Sequence, residues 1–420
     1  MMRISRRGVR RAQHVLVAGA MLAVVAFGWP AAAPDAVGTA AATPPDPAAS
    51  EIADVVRSAM ATDNLRAVIA KVTEGDRILI SEAFGTSMDG VPATTDMHFR
   101  NGSVAFAYLG TLLMQFVDEG KVELDDTIDR WMPTLPEADE VTLKMLANQT
   151  TGYPDFETDP AWNAAWSADP FHIWTFEERL AYAFSRPVQF APGTNWSYAH
   201  TNFMILGEIL AQIGGQPLDT LLSEKVLGPM GLTETTETVT SDIPSPVLHT
   251  YSSERRAALA IPSTTSFYEE STFWNTQWGT PIGANQTTTI DDMITTAVAV
   301  GTGSLLSRAS YHAMTDPNLL GFGHKDPACE PSCFTQVDGY NFGLGVVRSG
   351  SWILQNPQLS GFSASEAYLS SQGIAIAVAV TYLPAAFDAQ GNYANSADAL
   401  FRSIGAVVAP DDPPPTAPGG

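Results

Sequence analysis

The chain is poor in cysteine and in basic side chains. Its 420 residues hold 2 Cys, and 22 Lys and Arg face 45 Asp and Glu. A disulfide-stapled scaffold is excluded, because two cysteines close one loop at most. Nucleic-acid binding is excluded too, since it draws affinity from basic contacts to phosphate and the net charge here is −23. Such a surface also repels phosphates and anionic membranes. Internal repeats are missing, as is any P-loop or dinucleotide fingerprint. Glycine pairs such as Gly301-Thr-Gly303 lack the strand-to-helix setting of a nucleotide site, and no cofactor is expected.

Long apolar runs are scarce as well. One spans Val15 to Trp29, preceded by Arg3, Arg6, Arg7, Arg10 and Arg11 and followed by small residues at Ala31–Ala33 and Ala40–Ala42. This is the pattern of a secretory signal, with an uncleaved anchor as the alternative. Lipidation has no cysteine near the run, the first being Cys329. Cleavage after Ala42 removes five arginines and Asp35, leaving 17 of the 22 basic and 44 of the 45 acidic side chains. Residues 1–42 are therefore read as signal and start of linker, 43–50 as an Ala/Pro-rich linker, 51–408 as the folded domain and 409–420 as a disordered tail. An exported protein leaves Cys329 and Cys333 oxidised to a disulfide. The zinc alternative needs His324 and a fourth ligand that the local sequence lacks, so no metal is expected.

What is present is hydrophobic content of 45%, enough for a sizeable core. Leu65–Val72 and Arg77–Phe84 are β-type runs around Thr-Glu-Gly-Asp, a hairpin signal. From Ser103 to Glu119 the apolar positions Phe106, Leu109, Leu113, Phe116 and Val117 recur at helical spacing and Gly120 supplies a stop. Helical stretches at Phe203–Ile213 and Asp291–Val300 lie in a middle region with few strand signals. Strands return at Phe342–Arg348, Trp352–Gln355, Ser363–Leu369 and Ile374–Tyr382, before a helix over Ala394–Ala409. The expected class is α+β, one mixed, mainly antiparallel sheet built from both ends of the chain, with flanking helices and a mostly helical middle.

Ser103 opens the first helix, where serine is a favoured cap. Its surroundings raise a second reading. The segments Val141-Thr-Leu-Lys-Met-Leu-Ala-Asn-Gln-Thr-Thr-Gly-Tyr-Pro154, Phe190-Ala-Pro-Gly-Thr-Asn-Trp-Ser-Tyr198, Gly214-Gly-Gln-Pro217, Gly228-Pro-Met-Gly-Leu-Thr-Glu-Thr235 and Thr288-Thr-Ile-Asp-Asp292 follow in order. Together, over about residues 60–408, the chain resembles the penicillin-recognising serine hydrolases: class C β-lactamases, D-alanyl-D-alanine carboxypeptidases and related esterases. The resemblance implies the β-lactamase/transpeptidase-like fold and an acyl-serine mechanism at Ser103.

The resemblance also exposes departures. The family's Ser-x-x-Lys reads Ser103-Val104-Ala105-Phe106, and a phenyl ring cannot accept the hydroxyl proton. Tyr-x-Asn reads Tyr198-Ala199-His200. A free tyrosine titrates near ~10 and an imidazole near ~6.5, so His200 is poised to act, directly or through Tyr198. Its bland alternative is a structural histidine filling the space the lysine left. The third motif aligns with Gln355-Asn356-Pro357, where no cation survives and Pro357 replaces a glycine; the N–H of Gln358 is the remaining oxyanion donor. Ser103, Tyr198 and His200 are thus the expected catalytic group, with Gln149, Gln355, Asn356 and Gln358 expected to bind substrate. The aromatic stretch Tyr153, Phe156, Trp162, Trp166, Phe171, Trp174 and Phe176 reads either as core or as a cleft lining.

Two functions remain open at this point. One is an exported serine hydrolase of esterase, amidase or peptidase type, acting on a small ester or a peptidoglycan-like substrate. The other is a catalytically impaired envelope protein that binds peptidoglycan fragments, lipid or a protein partner. Membrane association is expected through the N-terminal segment alone, and oligomeric state is left open.

Overall fold

A computed structural model describes residues 47–238, 240–275 and 279–417. The signal read into residues 1–42 lies outside them. The hairpin expected at the start of the domain forms, with Leu65–Glu74 antiparallel to Arg77–Met88. Leu65–Glu74 then pairs antiparallel with Ile374–Tyr382, so the two ends of the chain meet in the middle of one sheet. Outward from there run Phe362–Leu369, Trp352–Gln355, Val347–Ser349 and Asn341–Phe342 on one side, and Arg77–Met88 and Val91–Pro92 on the other.

Val, Ile and Ala dominate Ile374–Tyr382, and every one of its residues is buried. Both faces of the strand are therefore covered. Helix Ser396–Val408, packed on helix Pro47–Thr62, lies against it, and helix Ile290–Thr302 packs on the same strands separately. The serine helix, Val104–Asp118, is buried almost all round, as a core helix must be when apolar on every face. It is entered from Phe99–Arg100, which pairs with Gln286–Thr288 in a small three-stranded sheet.

Three expectations are corrected. The segment 43–50 is not all linker, because a helix begins at Pro47, with Ile52, Ala53 and Val56 as its buried face. The described part of the tail, 409–417, does not hang free. Asp412 accepts a hydrogen bond from Trp352 Nε1 at 3.0 Å, Pro415 accepts one from Arg402, and Pro414 lies against Gly405. Docking of this kind uses backbone carbonyls, which Pro-rich composition does not disclose. Finally, Phe342–Arg348 is not one strand but two short ones, Asn341–Phe342 and Val347–Ser349, joined by a turn closed by Gly343 N–H on Val346 O. Gly345, at φ 81°, lies so close to Phe106 O that a Cβ would fall 2.2 Å from it. The turn thereby presses on the serine helix beside the cleft.

Candidate active site

Ser103 sits in the turn between the small sheet and its helix. Asn101 ties the approach down through Nδ2 to Gln286 Oε1 at 3.2 Å, and Gly102 turns the chain with φ 53°. A Cβ on Gly102 would fall 2.7 Å from Pro357 Cβ, so glycine is what lets the turn meet the opposite strand. Ser103 is half-buried and makes no capping hydrogen bond. Its hydroxyl faces a cleft of about 320 Å³ lined by Tyr198, His200, Asn285, Tyr340 and the strand segment 355–359.

Tyr198 lines the same cleft as Ser103. Burial holds that phenol well above its usual range, with Tyr340, Glu157 and Asp155 adding to the shift and the Ser103 contact opposing it. Phe106 does not point a polar group at the serine. Its ring stacks on Phe203 at 3.9 Å and meets Tyr198 and His200 at 6.2 and 6.1 Å.

His200 starts helix His200–Gly214, and its ring stands edge-on to Tyr198 at 5.0 Å. Nδ1 lies 2.9 Å from Asp155 Oδ2 and 2.7 Å from Glu157 Oε1. One N–H serves one acceptor, and its direction favours Asp155, which leaves Glu157 Oε1 close in charge but without a hydrogen. Burial alone would lower the imidazole's affinity for a proton; Glu157 and Asp155 overcome that and raise it. Glu157 is raised in turn, mainly by burial and further by Asp155, while His200 and Arg179 oppose the shift. Imidazolium is therefore the resting form at neutral pH.

The two carboxylates come from a turn built for them. Asp155 caps the 3-10 turn Phe156–Thr158, accepting from Glu157 N at 3.2 Å. Thr201 Oγ1 donates to Pro154 O at 2.7 Å and accepts from Phe156 N at 3.3 Å, stitching the turn to the helix that carries His200. Asp155, Glu157 and His200 also have the make-up of metal ligands, their ligand atoms lying within 4.8 Å of one another. In this geometry the same atoms are engaged with one another.

Across the cleft, Ala364 N donates to Pro357 O at 3.0 Å, and the register pairs Gln355 with Glu366 and Gln358 with Ser363. In an antiparallel ladder such pairs alternate. Asn356 and Gln358 therefore turn their backbone groups to the opposite edge, where the Asn356 carbonyl accepts from Asn395, another residue of the cleft lining. Pro357 occupies a position whose N–H would have faced Ala364, and the strand is interrupted there while its register continues.

The beta-lactamase family model matches residues 52–401. The chain belongs to the beta-lactamase family. Penicillin-binding protein 4 of Amycolatopsis lactamdurans is 32% identical over 173 residues, 40% of this chain and 43% of that protein. Esterase EstB of Burkholderia gladioli is 27% identical over 197 residues, 44% and 50% of the two chains. These matches span half or less of the relatives' length. Among solved structures, the D-amino acid amidase of Ochrobactrum anthropi SV3 complexed with L-phenylalanine amide superposes with a TM-score of 0.70 at 22% identity, over 87% of this chain and 99% of that one. A D-stereospecific amidohydrolase from Streptomyces sp. gives 0.69 at 20%, over 86% and 98%. Both show the β-lactamase/transpeptidase-like fold.

Within this beta-lactamase-family site, Ser103, Tyr198 and His200 come together as the sequence predicts. The side chains expected to bind substrate are otherwise engaged. Gln149 is fully buried away from the cleft, its Oε1 accepting from Ala199 N and Asn202 Nδ2. Gln355 donates to Gly345 O, Asn356 to Asp398, and Gln358 to Tyr393 O, although all three line the cleft. The aromatic stretch is core rather than lining: Phe156, Trp162, Trp166 and Trp174 cluster with Trp274, and Phe171 is exposed. Sequence reading missed Asp155 and Glu157, whose one signal is a pair of acids two residues apart directly after Gly152-Tyr153-Pro154. Cys329 and Cys333 form the disulfide.

Proposed function

We propose that this chain is an exported acyl-serine hydrolase acting on esters or amides, with Ser103 as nucleophile. In the neutral form of His200, which gains population as pH rises, Tyr198 passes the hydroxyl proton toward the imidazole, and Asp155 with Glu157 holds the ring in place. The observation that carries the reading is the combination of an uncapped Ser103 sharing its cleft with Tyr198 and a histidine fixed through Nδ1 on Asp155. Fixing Nδ1 turns the rest of the ring to the cleft and stabilises the imidazolium that forms when the serine proton leaves. Attack by Ser103 Oγ on the acyl carbon gives an oxyanion, and the N–H groups of Ser103 and Gln358 are the donors placed on the two sides of the cleft. The imidazolium then returns its proton to the leaving group, and water hydrolyses the acyl-serine.

The names of the relatives, an esterase and penicillin-binding proteins, support acyl transfer as the reaction class. Export rests on the arginine-led apolar run and on the oxidised cysteine pair. The test is intact-mass analysis after exposure to a fluorophosphonate. One adduct on Ser103, absent in Ser103→Ala, is expected; an unmodified native protein contradicts the proposal.

A second reading, a ligand-binding protein without turnover, draws on one observation. Phe106 fills the lysine's position with a fully buried ring that has no proton-accepting atom. It predicts saturable binding of a muropeptide or lipid that is equal in native protein and Ser103→Ala.

A further inference from the structure

The cleft is bounded by stretches of chain from which basic residues are missing over long distances. No Lys or Arg occurs in 101–120, which carries Ser103, in 187–224, which carries Tyr198 and His200, in 257–307, which carries Thr280 and Asn285, or in 349–401, which carries Gln355 to Leu359 and Asn395. Tyr340 lies in a fifth such stretch, 326–347. These spans include residues 276–278, so the sequence supplies no cation there either. What lines the cleft is amide, hydroxyl and apolar: Asn285, Gln355, Asn356 and Gln358 beside Thr280 and Pro357.

The basic groups around the cleft are turned elsewhere: Arg100, three residues before Ser103, donates to Thr238 Oγ1 and Ser241 O. Arg179 is fully buried behind the wall, donates to the Thr280 carbonyl at 2.7 Å and lies in the field of Glu157. Arg402 is paired with Asp398, whose Oδ1 accepts from Asn356 at the cleft edge. His200, the one basic side chain among the described lining residues, already faces two carboxylates. A carboxylate entering this cleft loses its hydration and meets no compensating charge, and removing a charge from water without a partner is costly. An uncharged ester or amide loses less, and the lining amides can hydrogen-bond to it.

Resting on the hydrolase reading of the same cleft, we infer that its substrates are uncharged acyl donors and that it discriminates against ligands bearing a carboxylate beside the scissile group. Equilibrium binding to Ser103→Ala isolates this selection from chemistry. The probes are N-acetylphenylalanine amide and N-acetylphenylalanine, alike except for the charge. The amide is expected to bind at least about tenfold more tightly. Gln358→Lys, at an exposed position on the cleft edge, is expected to reverse the order. Equal binding, tighter binding of the carboxylate, or binding of neither overturns the inference. Selective binding of the amide with no acylation of native Ser103 leaves the inference standing and removes the hydrolase reading.

Discussion

At the scale of residues, the site turns on what replaces a lysine. Phe106 is fully buried, stacked on Phe203, and flanked by Tyr198 and His200. Restoring the lysine by Phe106→Lys would place an ammonium group in that stack beside an imidazolium. It should cost about 3 kcal/mol or more of stability in denaturant unfolding without raising esterase activity. Gain of activity at unchanged stability would mean that the histidine has not taken over the lysine's task.

His200 carries a sign that can be worked out. Its proton affinity is raised by Glu157 and Asp155 against the opposing effect of burial, so the neutral, base-competent form is scarce at neutral pH and accumulates as pH rises. The kcat/KM profile should therefore still be climbing at about pH 8. Asp155→Asn removes one of the two charges that hold the proton. Its rising limb should move to lower pH by about 1 unit or more, at a reduced maximum because the ring loses its anchor. A limb that stays in place would show that the titrating group is not His200.

At the scale of elements, the cleft is the gap between the serine helix and the strand segment 355–359, and the C-terminal tail helps hold that segment. Pro415 O, Arg402, Asp398 and Asn356 form one hydrogen-bonded chain from tail to cleft edge. Ending the chain at Ala409 would leave Trp352 Nε1 and Arg402 without these acceptors. A loss of about 1–3 kcal/mol is expected from the denaturation midpoint, since buried donors without partners carry their full desolvation cost. Undiminished stability would show that the docking contributes little.

The helices and long strands were legible because each carries a period of its own: Ser103–Glu119 at helical spacing and Ile374–Tyr382 as an unbroken apolar run. The tail was not, since Pro413-Pro414-Pro415 has the composition of a linker whether or not its carbonyls find donors. Gln355, Asn356 and Gln358 do line the cleft, but their side-chain partners were not legible. Sequence locates them on the cleft strand, but only pairing shows that the backbone groups of Asn356 and Gln358 turn away from the neighbouring strand while those of Gln355 pair with Glu366, and that all three side chains bond to protein.

At the scale of the whole molecule, the two ends of the chain meet in one sheet, while the helical middle packs on the serine helix and brings Tyr198 and His200 to it. Ser103, Tyr198 and His200 could be read from motif spacing. Asp155 and Glu157 could not, because 45 residues separate Asp155 from His200 and packing alone joins them. The most direct test of the account is the rate at which a fluorophosphonate modifies Ser103 above neutral pH in native protein, His200→Ala and Ser103→Ala. The account predicts stoichiometric labelling of the native protein, labelling slowed about 100-fold or more in folded His200→Ala, and none in Ser103→Ala. Labelling of His200→Ala as fast as native, or a native Ser103 that stays unmodified, would contradict it.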